Sequence, residues 1–285
     1  MRWLICLTMF WCTLLPAADL NNQVISPQDK RIYAKIMAVE NYGQQLFISY
    51  NAGKDYERIT WFQQKGQVFN CLWSQHGLLA IEVHHVNYDY KISKNYVHFA
   101  ADLASVGVFD PSAKVIYWLD GMLAKNKAVS DDASKIKWQN QNTLEYRAIR
   151  LSQCDSADEI RTVVVNSNFL NKQTKDLSPQ ISRFGHGFLA AVKAKKDLTY
   201  YFKMIKKEDT VKLKKYLKST SPEIINSFEI CLTESLRGGY YYLTLNSSVE
   251  KFKQNKKKKL IIYNFFFEYD PKTTKYSFSV LEPDI

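Results

Sequence analysis

The feature that most constrains this chain is a series of short strand-like segments between residues 46 and 85. The segments are rich in apolar, β-branched and aromatic residues, and the breaks between them read NAGKD, QKGQ and SQHG. Glycine in such polar surroundings favours turns, and strands joined by short turns pair with their neighbours. The pattern predicts an antiparallel meander of four strands: Leu46–Tyr50, Ile59–Gln63, Val68–Ser74 and Leu78–His85.

Helices are predicted on either side of this meander. The first runs from Ser26 to Gly43, because serine is a good N-cap, proline follows at the first helical position and glycine ends the pattern. Its apolar residues recur at helical spacing, at Ile32, Ile36 and Val39. A second helix is predicted from Ser93 to about Val106, and strands are predicted at Val115–Leu119 and Leu144–Leu151.

The second half of the chain mixes helix and strand signals. A capping box at Ser156 favours a helix, whereas Thr162–Asn166 has strand propensity, so both structures stay open there. Two short helices are expected further on, the better supported of them from Pro222 to Leu236. A strand is predicted at Tyr240–Leu245, and a capping box at Ser247 predicts a short basic helix after it.

Two hairpins complete the predicted elements. The first pairs Phe188–Val192 with Leu198–Ile205 around the sequence KAKKD. The second closes the chain and pairs Leu260–Tyr269 with Tyr276–Leu281. Its turn contains Pro271, which suits the second position of a type I turn.

These elements predict an α+β protein with mostly antiparallel strands and several short helices. We expect either one continuous core or two subdomains that meet near residue 155. The corresponding division is a signal peptide over residues 1–18, an N-terminal α+β subdomain over 19–154 and a basic C-terminal α+β subdomain over 155–285.

One short pattern occurs twice, as HGLLAIEV from His76 and as HGFLAAVK from His186. In a strand, alternate side chains lie on opposite faces, so Leu79, Ile81 and Val83 would form the apolar face of the first copy. The aligned residues of the second copy are less apolar than those between them, which would reverse the buried face. We therefore interpret the two copies as similar strands after similar turns, and not as a duplicated domain.

The first 18 residues, MRWLICLTMFWCTLLPAA, have the layout of a secretory signal peptide. Arg2 precedes an uncharged apolar stretch, and Ala17 and Ala18 supply small residues for cleavage. The apolar stretch is shorter than the ~20 residues that cross a bilayer, although an uncleaved anchor is the alternative. No later stretch is long enough to span a membrane. We expect a secreted or periplasmic protein.

Basic residues are concentrated in the second half of the chain, where residues 151–285 hold 23 Lys and Arg against 15 Asp and Glu. Such a surface attracts anionic lipid, anionic glycan or another protein, although solvated helix faces are the plainer explanation. No motif that reads RNA or DNA accompanies the charge, which argues against nucleic acid. The predicted contact residues are Lys207, Lys212, Lys214, Lys215, Lys256, Lys257, Lys258 and Lys259.

The histidines offer the most specific candidate chemistry. Glu82 and His84 lie on one face of the predicted strand, and His76 in the turn before it has the same parity; imidazole with carboxylate could bind zinc or act in acid–base catalysis. One strand rarely supplies a full ligand set, so the plainer interpretation is an edge strand with solvated polar side chains. No HExxH, paired CxxC, nucleophile elbow or phosphate-binding loop occurs, so no metal or cofactor is expected.

Two of the five cysteines lie in the predicted signal peptide, and the other three are too few for a disulfide-stapled module. Cys71 and Cys231 have apolar neighbours and are predicted to be buried small hydrophobic residues. Cys154 lies in a polar segment and is predicted to be the exposed thiol.

The sequence favours an exported, non-catalytic binding or interaction protein whose basic C-terminal half contacts an anionic or protein partner. This interpretation depends on the charge asymmetry and on the lack of catalytic motifs. The alternative is a secreted hydrolase or host-directed toxin whose site the fold assembles around His84 or His186.

Overall fold

The computed structural model describes residues 23–40, 43–62, 66–91, 98–121, 123–124, 132–151, 156–234, 241–252 and 258–281. Within these residues the chain forms four antiparallel sheets and five helices. The described part of the fold is therefore mostly antiparallel β-sheet with few helices. This agrees with the mostly antiparallel strands that the sequence predicts.

The first sheet contains β1 (Val24–Ile25), β2 (Tyr33–Val39), β3 (Gly43–Ser49) and β4 (Glu57–Arg58) in chain order. The predicted strand at Leu46–Tyr50 is confirmed, but the predicted helix over residues 26–43 is wrong. β2 pairs with β3 along its whole length, and Ala34 and Ile36 are buried at alternate positions. Strand pairing thus overrides the helical spacing. The strand predicted at residues 59–63 is also wrong, because β4 ends at Arg58.

The second sheet contains β5 (Gly66–Trp73), β6 (Leu79–Lys91), β7 (His98–Asp110), β8 (Val115–Gly121) and β12 (Thr174–Asp176). Their order in the sheet is β12-β8-β7-β6-β5. The predicted strands in β5, β6 and β8 are confirmed. The helix predicted over residues 93–106 is wrong, because residues 98–106 lie in β7, a central strand paired on both sides.

The third sheet contains β9 (Asp132–Trp138), β10 (Thr143–Leu151) and β11 (Ser156–Val164), in the order β11-β10-β9. β10 was predicted, whereas β9 was missed. At Ser156 the strand alternative holds, since β11 pairs with β10 over nine residues. Residue 155, where the two subdomains are expected to meet, lies outside the described residues, and the division into subdomains stays a prediction.

Two apolar cores cover the two faces of the second sheet. Leu79 and Ile81 of β6 pack with the first sheet, for example with Leu46 and Ile48. On the opposite face Ala80 packs with residues of β9 and β10. The alternation of side chains along β6 therefore places the second sheet between the first and the third.

A third apolar core lies between the helices and the fourth sheet. Helix residues such as Phe184 and Phe188 pack there against strand residues such as Leu243 and Phe267. The helices of this core are α2 (Ser178–Lys193), α3 (Thr199–Met204), α4 (Lys207–Ser219) and α5 (Pro222–Ser227). The short helix α1 (Ser167–Leu170) packs instead through Leu170 in the core beside the third sheet. The fourth sheet contains β13 (Glu229–Glu234), β14 (Tyr241–Phe252), β15 (Lys258–Asp270) and β16 (Lys275–Leu281), in chain order.

The predictions for this half are partly wrong. The hairpin over residues 188–205 is replaced by α2 and α3, and the helix over 222–236 ends at Ser227 and continues as β13. The helix expected after Ser247 is also wrong, because β14 pairs with β15 as far as Phe252. The predicted strand at Tyr240–Leu245 and the closing hairpin are confirmed.

The two similar sequence segments therefore adopt different structures. HGLLAIEV enters β6, whereas HGFLAAVK lies inside α2. They are neither a duplicated domain nor two strands, and the interpretation as similar strands is wrong for the second copy. The helix is favoured by two upstream residues, Ile181 and Phe184, which are buried at helical spacing with Phe188.

Candidate functional site

A cleft of about 900 Å³ lies among β4, the β7–β8 turn, α2, α3 and the β15–β16 turn. We call it the tyrosine cleft, after Tyr200, Tyr201, Tyr269 and Tyr276 in its wall. Its volume falls within the ~300–1,000 Å³ that is usual for small-molecule sites. The cleft is therefore the natural place to look for a ligand.

The charged groups of the cleft meet at α2. Arg183 donates through Nη1 to both carboxylate oxygens of Glu57, at 2.8 and 2.9 Å. The guanidinium carbon of Arg183 lies 4.9 Å from the centre of the Tyr50 ring, and the Lys114 amine lies 5.8 Å from the same centre. Two cations thus lie near one aromatic ring and one carboxylate.

A tight turn positions Lys114. The Asp110 carboxylate accepts from the backbone N–H groups of Ser112 and Ala113, at 2.8 and 3.1 Å. The Lys114 N–H then donates to the Asp110 carbonyl at 2.7 Å, and Lys114 has a φ of 56°. Because this left-handed conformation is uncommon outside glycine, asparagine and aspartate, the lysine is held there by the turn.

The pKa shifts reflect the surplus of positive charge. Burial lowers the pKa of Lys114, the neighbouring Arg183 charge lowers it further, and Glu57 opposes both effects. Burial also raises the pKa of Tyr50, whose hydroxyl has no hydrogen-bond partner among the described residues. An anion placed near Lys114 would relieve its repulsion from Arg183.

The aromatic wall runs from buried to exposed rings. Phe184 stacks on Tyr276 with ring centres 3.9 Å apart, and Tyr269 lies 5.0 Å from Tyr276. At the other end, Tyr200 is 67% exposed and meets the ring of Tyr201 edge-on at 5.3 Å. The Tyr200 ring is therefore available to a ligand, whereas Tyr276 belongs to the core.

A second recess, of about 650 Å³, shares Ser112, Lys114 and Arg183 with the tyrosine cleft. Its remaining wall includes Tyr50 and the ion pair of Asp29 with Arg31, which is 2.9 Å long. The two recesses therefore meet at Lys114 and Arg183, and together they offer more room than either does alone.

Glu82 and His84 share a face of β6, as predicted, and His84 Nε2 lies 2.7 Å from Glu82 Oε1. Yet the predicted solvated edge strand is wrong, because β6 lies between β5 and β7 and Glu82 is only 3% exposed. Its Oε2 accepts from the Lys135 backbone N–H at 3.0 Å. The His84 ring stacks on Phe69 at 4.4 Å.

The other histidines whose side chains the structure describes do not join this pair. His76 is exposed and bonds Gln141 at 3.0 Å. His85 is buried on the opposite face, against Phe62. His186 lies on α2, and its ring centre is 6.5 Å from that of Trp61. Burial lowers the pKa of His186. Among residues with described side chains, no group of three or more His, Cys, Asp or Glu could hold a metal ion.

Four of the predicted contact lysines lie exposed on α4: Lys207, Lys212, Lys214 and Lys215. Lys212 bonds Asp209 at 2.9 Å, whereas Lys207, Lys214 and Lys215 follow one face of the helix together with Lys218. We call these four the α4 lysine stripe (Lys207, Lys214, Lys215, Lys218). Lys256 and Lys257 lie outside the described residues, and only the backbone of Lys258 and Lys259 in β15 is described.

Cys71 is buried, as predicted, with 5% exposure, and burial raises the pKa of its thiol to about 12. Cys154 lies outside the described residues, and so does the side chain of Cys231. Cys231 lies in β13 and not on a helix, which corrects its predicted place.

The sequence did not single out Lys114, Arg183 or Tyr200, which come from three separate segments. The only local signal is the sequence DPSAK, a turn that ends in a lysine. Nothing local places that lysine beside α2.

No protein family matches this sequence, and no curated protein matches it. A structural comparison aligns 93% of the chain with 70% of a mannose phosphorylase from Leishmania mexicana, solved in complex with phosphate ion, at 10% identity and a TM-score of 0.22. This score is too low to indicate a shared fold. Over the part of the chain that the structure describes, no helix has the length and apolar character needed to cross a membrane.

Proposed function

We propose that the protein is an exported, non-catalytic binding protein that contacts an anionic partner through its basic C-terminal half, residues 155–285. The observation that carries this proposal is the α4 lysine stripe, in which four exposed ammonium groups follow one helix face. Closely spaced lysines raise the local concentration of polyanions by long-range attraction.

An acidic polysaccharide fits this surface better than a membrane does. Helices that lie on membranes insert an apolar face. The apolar side of α4, at Leu213, Tyr216 and Leu217, already packs in the core with the fourth sheet. Val211 is the large apolar residue that α4 leaves exposed. The partner then meets charge and little apolar surface.

The test is binding of the mature chain to dextran sulfate and polygalacturonate, with uncharged dextran as the neutral polymer, over a range of salt concentrations. Replacing all four lysines of the stripe by glutamine should weaken binding at least about tenfold, since each lysine contributes ~1 kcal/mol at an anionic surface. The matched control removes the same charge from exposed lysines elsewhere: Lys30, Lys54, Lys137 and Lys172.

Three results would each contradict the proposal. They are equal loss of binding in the two quadruple variants, no effect of salt, and equal binding to uncharged dextran. Vesicles of phosphatidylglycerol form a further arm, and preference for them over both polysaccharides would assign the surface to a membrane. N-terminal sequencing of the exported protein tests the proposed cleavage after Ala17 or Ala18.

A secreted hydrolase or host-directed toxin remains the second candidate, because the Glu82–His84 pair has the geometry of a base with its orienting carboxylate. His84 is 31% exposed at its side chain, so a substrate could reach it. The test is hydrolysis of ester, glycoside and peptide substrate panels. Activity that His84→Ala abolishes and His76→Ala spares would favour this candidate.

A further inference from the structure

We propose that the tyrosine cleft and the recess beside it bind an acidic oligosaccharide, with one acidic group between Lys114 and Arg183 and one sugar ring on Tyr200. This inference rests on the proposed function and adds a ligand site to it. It concerns residues other than those of the α4 lysine stripe, so separate variants test the two surfaces.

The charge balance of the cleft points to an anion. Glu57 is the acidic residue in its wall, against the four cations Lys114, Arg183, Lys203 and Lys275. Glu57 bonds Arg183 through Nη1, and the other two guanidinium nitrogens bond none of the described residues. A carboxylate, sulfate or phosphate could therefore be bound without breaking that ion pair.

The crowding of the cations supports the same conclusion. Lys114 and Arg183 both approach the Tyr50 ring, and the Arg183 charge contributes to lowering the pKa of Lys114. The turn at Asp110 fixes the backbone of Lys114, so the lysine side chain starts from a defined point in the wall of both recesses. A bound anion would stabilise both charges, which is the behaviour of a preorganised anion site.

The aromatic wall of the cleft favours a sugar over an inorganic ion as the ligand. Tyr200 presents an exposed ring whose edge-on partner Tyr201 restricts its orientation. A rigid tyrosine offers a flat apolar surface together with a hydroxyl, which suits a ligand that carries both C–H and O–H groups. Inorganic anions would leave that ring unused.

The size of the site favours an oligomeric ligand over a single sugar. The two recesses measure about 900 and 650 Å³ and join at Lys114 and Arg183. Further cations come from other elements of the wall, Lys203 after the tyrosines of α3 and Lys275 at the start of β16. Cations on several elements match an acid that recurs along a chain.

The experiment is calorimetric titration of the mature chain with oligogalacturonate, with a sulfated oligosaccharide and with a neutral maltooligosaccharide of equal length. Lys114→Asn keeps a residue that tolerates the left-handed backbone, and Tyr200→Ala alters an exposed ring, so both should stay folded. We expect Lys114→Asn to weaken the binding of acidic ligands at least about tenfold. Tyr200→Ala should weaken their binding about fivefold. Arg183→Gln should resemble Lys114→Asn.

The matched controls are Lys195→Asn, an exposed lysine with a φ of 53°, and Tyr242→Ala on β14. Both should bind as the parent protein does. The carboxylated and sulfated ligands separate the two kinds of acid, and preference for either supports the inference.

Three results would each overturn it: no binding of either acidic oligomer, equal binding of the neutral oligomer, and equal losses in the variants and their controls. If the oligomers fail while acidic polysaccharides bind through the α4 lysine stripe, the cleft inference fails and the proposed function stands. If neither binds, both fail.

Discussion

Arg183 on α2 and Glu57 on β4 form an ion pair of 2.8 Å between residues that are 126 positions apart in the chain. Next to it, Ser182 donates to the Arg58 carbonyl at 2.7 Å. These contacts join the first sheet to the helix that covers the fourth sheet. They also place one carboxylate at the mouth of a cationic cleft.

Glu57→Gln should bind acidic oligosaccharides several-fold more tightly than the parent protein, because a competing negative charge is removed from Arg183. The change in the free energy of unfolding should stay within ~1 kcal/mol, since the ion pair is partly solvated. Titration calorimetry and urea unfolding measure the two quantities. Glu229→Gln, on an exposed strand position, is the control for net charge. Weaker binding by Glu57→Gln would contradict the assigned anion site.

Asp120→Asn should destabilise the protein by about 2–3 kcal/mol. Asp120 is fully buried and accepts from Arg161 at 2.6 Å and from the Tyr146 hydroxyl at 3.2 Å. Removing one partner of a buried pair costs ~3–5 kcal/mol, and Arg161 retains Glu159 and some solvent. Asp158→Asn removes the exposed pair with Arg147 and should lower the stability much less than Asp120→Asn does. Equal midpoints of urea unfolding for the two variants would contradict this prediction.

The strands around β5, β6, β8, β10 and β14 could be predicted because each is a short segment rich in apolar, β-branched or aromatic residues. The helix predicted over residues 26–43 failed because the spacing of Ile32, Ile36 and Val39 fits a helix, while pairing with β3 decides the structure. The periodicity within one segment does not report its pairing with the next strand.

α2 was missed for a different reason. Read from His186 onward, the segment resembles β6, and its helical period becomes visible only with Ile181 and Phe184 included. The candidate site was out of reach because Glu57, Lys114, Arg183 and Tyr200 come together only in the folded chain. The α4 lysines, in contrast, are neighbours in sequence and could be chosen directly.

Glu82→Ala should cost about 2–3 kcal/mol of stability, and Glu82→Gln about half as much. Lys135 lies at an irregularity of β9, where its N–H bonds the Glu82 carboxylate in place of a neighbouring strand. Alanine leaves that part-buried donor without its acceptor, whereas glutamine retains an acceptor of similar reach. Urea unfolding gives both values, with Glu229→Gln as the exposed control. If glutamine proved as damaging as alanine, the charge on Glu82 and not its hydrogen bond to Lys135 would matter.

Cys71 should resist alkylation in the folded protein. Its thiol is buried and its pKa is raised to about 12, so almost no thiolate is present at neutral pH. Iodoacetamide labelling followed by mass spectrometry of the Cys71 peptide measures the rate at this position alone. The same peptide should label readily in guanidinium chloride. Similar rates in the two conditions would show that the thiol is accessible in the fold.

His85 should make the protein less stable as the pH falls from neutrality. Burial, and then the nearby His84 charge, lower the pKa of His85 from 6.5 to about 4. The unfolded chain therefore takes up a proton first, so this contribution is complete above pH ~6.5 and is lost progressively down to pH ~4, amounting to about 3 kcal/mol. Urea unfolding between pH 7 and pH 4 measures the loss.

His85→Gln should reduce this pH dependence, because glutamine does not titrate. His76→Gln replaces an exposed imidazole and is the matched control, which should lose stability with pH as the parent protein does. His186, also buried with a lowered pKa, contributes in the same direction and remains in both variants. A loss of stability in His85→Gln that parallels the parent at every pH would mean that His85 is not the group responsible, and His186→Gln would then be the variant to compare.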